Sequence, residues 1–116
     1  MKRSCIVFIM LFACAAAKAE AVQVKDSIQI AKIWDAGAHN AFTDLIRFKN
    51  RFYCSFREGA GHSGGNGKNG KVRILTSKNG KKWESIALLE TEGVDLRDPK
   101  LSVTPDNRMM VIMAGV

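Results

Sequence analysis

The feature that most constrains the fold of this chain is a series of short strand-like runs that begins near Ala41. The six runs cover residues 42–48, 51–57, 71–76, 82–88, 99–104 and 109–114. Within the second run, the apolar residues Phe52, Cys54 and Phe56 alternate with the more polar residues Tyr53, Ser55 and Arg57. This alternation is expected of a strand whose two faces have different surroundings. No segment requires a helix. We therefore predict an all-β domain over residues 41–116, preceded by a lead-in over residues 20–40.

The connections between these runs carry clear turn signals. Asn79-Gly80 is a pair typical of tight β-hairpin turns. Residues 58–70 contain six glycines among thirteen residues, which predicts an exposed loop. The hairpin that starts at Phe42 is repeated by residues 99–114, at a spacing of roughly 55 residues that is typical of propellers and repeat arrays.

The first nineteen residues have the layout of a secretory signal peptide. Lys2 and Arg3 precede an apolar run over residues 5–17, and the small-residue pattern Ala17-Lys18-Ala19 follows. The run is shorter than the roughly 20 residues that span a bilayer, so we predict no membrane span, cleavage after Ala19, and a secreted or periplasmic protein. A second interpretation is a lipoprotein box ending at Cys14, which would be acylated and anchor the protein to the outer membrane.

Removal of this leader changes the charge and the cysteine content. Residues 20–116 contain 15 basic and 11 acidic residues, a net charge of +4. This excess suits an anionic sugar, but the chain lacks the dense basic stripe of a nucleic-acid-binding protein, so we predict no nucleic-acid partner. Only Cys54 remains, which excludes an intramolecular disulfide. The apolar run at the end of the sequence has no turn or polar cap, and we expect the sequence to be a fragment of a longer protein.

The segment Ser77-Lys78-Asn79-Gly80-Lys81-Lys82-Trp83 resembles the Asp-box, Ser-x-Asp-Gly-x-x-Trp, of sialidases and related β-propellers. Asn79 stands where the box has aspartate, and its side chain can accept hydrogen bonds from the amides of a tight turn. Gly80 tolerates a positive φ, and Trp83 offers a large apolar surface beside the turn. The alternative is an ordinary Asn-Gly hairpin followed by a core tryptophan.

The resemblance to the sialidase superfamily extends over residues 42–83 in the order and spacing of strands, loop and box. The second hairpin, which begins Asp98-Pro99, is similar to the start of the next blade. The resemblance implies the first blade and the inner hairpin of the second blade of an incomplete, six-bladed sialidase-like β-propeller. The alternatives are another propeller and a small β-sandwich. The chain departs from the family pattern at Ala41-Phe42-Thr43, where sialidases have an Arg-Ile-Pro motif, and residues 58–70 contain no aspartate to match the sialidase acid/base.

Candidate functional residues follow from the strand order. Alternate connections of an antiparallel meander lie at the same end, so residues 39–44, 57–70 and 95–98 should share the mouth of the propeller, where ligands bind. The turn at Asn79 should lie at the opposite end. The candidate catalytic residues are Asp44, Glu58 and His62. The candidate substrate-binding residues are His39, Arg57, Arg97 and Asp98.

Five of the candidates also have a structural interpretation. Asp98 either touches a ligand or accepts hydrogen bonds from the amides of a turn. Arg57 either binds an acidic sugar through its planar fork or pairs with Glu58 or Asp98 and holds loops in place. Glu58 and Asp44 are either general acids or bases on a glycosidic oxygen or loop-capping groups. His62 either transfers a proton or is an ordinary solvated histidine.

The sequence indicates no cofactor, because it contains no phosphate-binding loop and no metal-ligand spacing around His39 and His62. The expected function is that of a secreted, glycan-active protein: an exo-acting glycoside hydrolase of the sialidase superfamily with an acidic sugar substrate. One alternative is a non-catalytic propeller that binds glycan or protein. Another is a polysaccharide lyase that uses His62 as a base.

Overall fold

A computed structural model describes residues 28–62 and 69–116 of the chain. Its strands are β1 (His39–Phe48), β2 (Arg51–Gly59), β3 (Lys71–Ser77), β4 (Glu84–Leu89), β5 (Leu96–Val103) and β6 (Met109–Gly115). The described residues contain strands and no helix, which confirms the all-β prediction. The predicted signal peptide, with Cys14, and residues 63–68 of the glycine-rich loop lie outside the described residues.

The strands form two antiparallel sheets. Sheet 1 is the meander β1-β2-β3-β4, and sheet 2 is the hairpin β5-β6. His39 pairs with Gly59 at one end of sheet 1, which we call the site end, and Phe48 pairs with Arg51 at the other end, which we call the turn end. The amide of Leu96 donates to the carbonyl of Gly70 at 3.0 Å, so β5 also starts at the site end. This grouping of the connections is the one that the strand order predicts.

Each face of sheet 1 has its own core. The inner face faces sheet 2, and its buried cluster consists of Val72, Ile74, Leu96 and Leu101. The outer face carries the buried residues Cys54, Phe56 and Leu75, against which Ile33, Trp34 and Trp83 pack. The lead-in thus contributes to the core although its described part, residues 28–38, contains no strand.

The two hairpins contain the same irregularity at the same place. The register of β1 against β2 shifts between Ala41 and Asp44, and the register of β5 against β6 shifts between Arg97 and Lys100. Inside each bulge a non-glycine residue has a positive φ, 59° at Phe42 and 49° at Asp98. These two residues are 56 positions apart, and such unfavourable backbone angles persist only where the surrounding structure requires them. The two hairpins therefore share a bulge at a separation close to the roughly 55 residues between the two hairpins in the sequence.

Three strands begin at residues other than the predicted ones, because of the two bulges and the hydrogen bonds of the Asn79 side chain. The first and fifth strands begin at His39 and Leu96, three residues before the predicted starts, because pairing resumes on the far side of each bulge. The fourth strand begins at Glu84 and not at residue 82. The amides of Lys81 and Lys82 donate to the side chain of Asn79, so these residues belong to the turn.

Candidate functional site

A buried ion pair lies at the site end, between sheet 1 and the segment that leads into sheet 2. Arg57 Nε donates to Asp95 Oδ1 at 2.8 Å, and the two side chains are 0% and 4% exposed. Arg57 lies on the inner face because its register partner is Val72, which faces sheet 2. Asp95 immediately precedes β5. The pair therefore joins the end of β2 to the start of β5.

Asp95 is the centre of a wider hydrogen-bonded group. The amide of Gly70 donates to Oδ1 at 2.7 Å, and Nε of Arg97 donates to Oδ2 at 2.8 Å. Burial alone raises the pKa of the Asp95 carboxyl, but the hydrogen bonds from Arg57, Arg97 and Gly70 outweigh it and lower that pKa to about 2. A Cβ at position 70 would collide with both Arg57 and Asp95, so the close approach requires glycine there. Sequence reasoning missed Asp95, which lies in a polar link with no motif around it.

Arg57 also holds the start of the glycine-rich loop. Its Nη1 donates to the carbonyl of Gly61 at 2.7 Å, while Nη2 is buried and has no hydrogen-bond partner among the described residues. This arrangement matches the loop-holding interpretation of Arg57, with Asp95 as the partner in place of Glu58 or Asp98. Within the described chain, the unpartnered Nη2 of Arg57 is therefore a hydrogen-bond donor that remains free at the site end.

Three rings meet beside this group. The rings of His39 and His62 are edge to face with centroids 5.5 Å apart, and the ring of Phe42 lies 5.5 Å from that of His62. His39 Nε2 is buried without a hydrogen-bond partner in the described chain, whereas His62 is exposed. Since His62 follows Gly61, the contact of Arg57 with Gly61 brings the exposed histidine to the same end of the sheet.

Glu58 lies on the opposite face of the sheet from Arg57. Its carboxylate accepts hydrogen bonds from Arg73 at 2.9 and 2.8 Å and from Trp34 Nε1 at 3.1 Å. The hydrogen bond from Arg73 is the main reason that the pKa of Glu58 is lowered, against the effect of burial. Glu58 is thus held ionised on the outer face, away from the Arg57 group.

The remaining two carboxylates are also separate from that group. Asp44 Oδ2 accepts a hydrogen bond from the amide of Leu101 at 2.7 Å, which links β1 to β5. Asp98 is exposed within the bulge of β5. Of the seven candidate residues, the structure brings together His39, Arg57, His62 and Arg97.

The segment from Ser77 to Trp83 lies at the turn end and is held by its own side chains. Asn79 Oδ1 accepts from the amides of Lys81 and Lys82 at 2.9 and 3.0 Å, and the Ser77 hydroxyl accepts from the amide of Gly80 at 2.9 Å. Gly80 has a φ of 72°, and Trp83 Nε1 donates to its carbonyl at 3.0 Å. Trp83 packs against the core of the outer face. Asn79 and Ser77 thus accept hydrogen bonds from the amides of the turn, and Trp83 packs beside it, as expected from the residue types of this segment.

The site end is suited to binding an anion. Two guanidinium groups, Arg57 and Arg97, surround the single carboxylate of Asp95, and the side chain of Arg97 is 27% exposed. A guanidinium presents a planar set of donors that matches a carboxylate. Within residues 28–62 and 69–116, no group of three or more acidic, histidine or cysteine side chains is placed to hold a metal ion. The same residues include no helix with the length and apolar character needed to cross a membrane.

No protein family, curated protein or solved structure matches this chain.

Proposed function

We propose that this chain forms part of a sialidase-like β-propeller, with sheet 1 as its first blade and sheet 2 as the inner hairpin of its second. The repeated bulge at Phe42 and Asp98 supports this proposal, because equivalent strands of successive blades share such features. The hydrogen bonding of Ser77 and Asn79 supports it as well. Ile86 on β4 and Ile112 on β6 are 50% and 58% exposed on edge strands, and further strands and blades would cover them.

We propose that the protein is exported and acts on glycans, and that an acidic sugar binds at the site end. The arrangement of Arg57 and Arg97 around Asp95 is the observation that carries this proposal. Arg97 occupies in β5 the position that Ala41 has in β1, so the second hairpin has an arginine where the first lacks one. The exposed part of the Arg97 guanidinium is the proposed carboxylate-binding group. Arg57 holds Arg97 in place because both arginines pair with Asp95.

The proposed reaction is hydrolysis of a glycosidic bond, which requires a general acid. Glu58 and Asp44 are poorly suited to that role. Glu58 stays ionised beside Arg73 on the outer face, and Asp44 is hydrogen-bonded to the amide of Leu101. Hydrolysis would then depend on His62 or on a group outside the described residues.

A second candidate reaction is β-elimination by a polysaccharide lyase. His62 is exposed, and the neighbouring Gly61 accepts a hydrogen bond from Arg57. This contact brings a base to the site end, where Arg97 is the proposed group that binds a uronate carboxylate, and β-elimination needs both groups. The two reactions have different products: hydrolysis leaves a saturated sugar, and elimination leaves an unsaturated uronate that absorbs ultraviolet light.

The experiment that tests the proposed function is a glycan array probed with the purified protein, followed by turnover assays on the glycans that bind. Each acidic oligosaccharide is paired with its analogue in which the carboxylate is reduced to an alcohol. The proposal predicts binding of the acidic member of a pair and loss of binding to the reduced one. Equal binding of both members, or no binding of any acidic glycan, contradicts it. Binding without turnover would favour the alternative of a non-catalytic, glycan-binding protein.

A further inference from the structure

The positive charge of the described residues is concentrated at the turn end of sheet 1, opposite the proposed glycan site. The described residues contain thirteen lysines and arginines against nine acidic residues, a net charge of +4. The turn end alone has a net charge of +5, because six basic residues gather there with the single carboxylate of Glu84. The six are Arg47, Lys49, Arg51, Lys78, Lys81 and Lys82. The rest of the described chain is therefore close to neutral.

Strand pairing is the reason that these residues lie together. Phe48 pairs with Arg51 around the β1–β2 turn, and Phe52 pairs with Ser77 at the start of the box loop, residues 78–83. Both connections thus project from the same end of adjacent strands. A Cβ at Gly80 would lie 3.9 Å from the ring of Phe52, so the box loop folds back towards the β1–β2 hairpin.

A cleft lies within this surface. It is lined by Arg51, Ser77, Lys78, Asn79, Lys82, Trp83 and Glu84. It therefore combines an indole with three cationic side chains. A long anionic sugar chain needs both kinds of contact, since its rings have apolar faces and its substituents carry charge.

The lysines of the box loop are available for a ligand. Lys78, Lys81 and Lys82 are exposed, and none of them has an ion-pair partner among the described residues. The hydrogen bonds that shape the loop use the main-chain amides of Lys81 and Lys82, and the ammonium groups take no part in them. By contrast, Arg51 already pairs with Glu84 at 2.6 Å.

We propose that the turn end of sheet 1 is a second binding surface, which takes an anionic polysaccharide along the cleft beside the box loop. A concave, cationic surface with an aromatic wall suits a polymer chain better than a flat bilayer. In addition, none of the strongly exposed large apolar side chains of the described residues lies in either turn, and Trp83, the indole of the cleft, is half-buried. The proposal is independent of the function proposed for the site end.

The test compares two variants of the same net charge. One replaces Lys78, Lys81 and Lys82 with glutamine, and the matched control replaces Lys32, Lys71 and Lys100 with glutamine. Affinity for heparin and for polygalacturonate is measured at several salt concentrations, with neutral dextran as the negative control. The box-loop variant should bind about tenfold more weakly, since each exposed ion pair contributes a few-fold, and the control should change by less than about twofold. Circular dichroism of both variants checks that the fold is retained, as expected from the main-chain hydrogen bonds of the loop.

Three outcomes would overturn the proposal. Unchanged affinity of the box-loop variant would show that these lysines do not contact the polymer. Equal losses in both variants would show that binding follows net charge alone. Tighter binding of the wild-type protein to vesicles of phosphatidylglycerol or to duplex DNA than to either polysaccharide would assign the surface to a different partner.

Discussion

Arg57 and Asp95, which are 38 residues apart in the chain, form a buried ion pair with 2.8 Å between Nε and Oδ1. The pair joins the two sheets at the site end, and the same carboxylate orients Arg97. A buried charge is costly unless it is paired and hydrogen-bonded. Asp95 therefore has two roles, one in the packing of the sheets and one in the position of the exposed arginine.

Replacement of Asp95 with asparagine should destabilise the fold by about 3–5 kcal/mol, because it leaves the charge of Arg57 buried without its partner. The matched control is Asp98→Asn, three residues further along the chain, where the side chain is exposed and asparagine tolerates a positive φ. The control should change the free energy of unfolding by less than about 0.5 kcal/mol. Urea denaturation measures both. Equal effects at the two positions would contradict the role assigned to Asp95.

The low pKa of Asp95 predicts how stability depends on pH. The ordinary value is 3.8 and the folded value is about 2, so the unfolded chain takes up the proton first as the pH falls. The stabilisation from Asp95 is thus fully present above about pH 4 and is lost as the pH falls through about 2. Urea midpoints between pH 5 and pH 2 should show a steeper decline for the wild-type protein than for Asp95→Asn. Parallel curves would show that Asp95 does not titrate in this window.

How much of this architecture could be predicted from the sequence depends on the range of the interactions. Alternating residues in β2 and turn signals at Asn79-Gly80 are local, so they indicate an all-β meander and the two ends of the sheet. The pairing of Arg57 with Asp95 is not local, and no sequence pattern distinguishes Asp95 from Glu58 or Asp98 as the partner. The face on which Glu58 lies depends on register, because neighbouring residues of a strand point to opposite faces.

The side chain of Asn79 should be as effective as aspartate in holding the box loop. Asn79→Asp keeps the oxygen that accepts from the amides of Lys81 and Lys82, whereas Asn79→Ala leaves both amides without that acceptor. We expect a loss of about 1–3 kcal/mol for alanine and little or no loss for aspartate. Thermal and urea unfolding of the pair measure the difference. A similar loss for both substitutions would show that the hydrogen bonds are unimportant for stability.

The export proposal predicts the N-terminus of the mature protein. Cleavage after Ala19 leaves Glu20 as the first residue, and the protein should be found outside the cytoplasm. Mass spectrometry of the protein recovered from each cell fraction identifies the terminus. A retained Met1 would contradict export by this route, and a lipid on Cys14 would show that the protein is anchored as a lipoprotein.

In the proposed site, an acidic sugar binds to Arg97 at the site end while Arg57 holds that end together. The most direct measurement compares Arg97→Lys with Arg57→Lys by calorimetric titration of an acidic oligosaccharide from the array, with melting temperatures recorded in parallel. Lysine keeps the charge but loses the planar fork, so Arg97→Lys should weaken binding by about 1–3 kcal/mol with little change in melting temperature. Arg57→Lys should lower the melting temperature, and Lys32→Gln, against the outer face of sheet 1, should change neither. Unchanged affinity of Arg97→Lys would contradict the account.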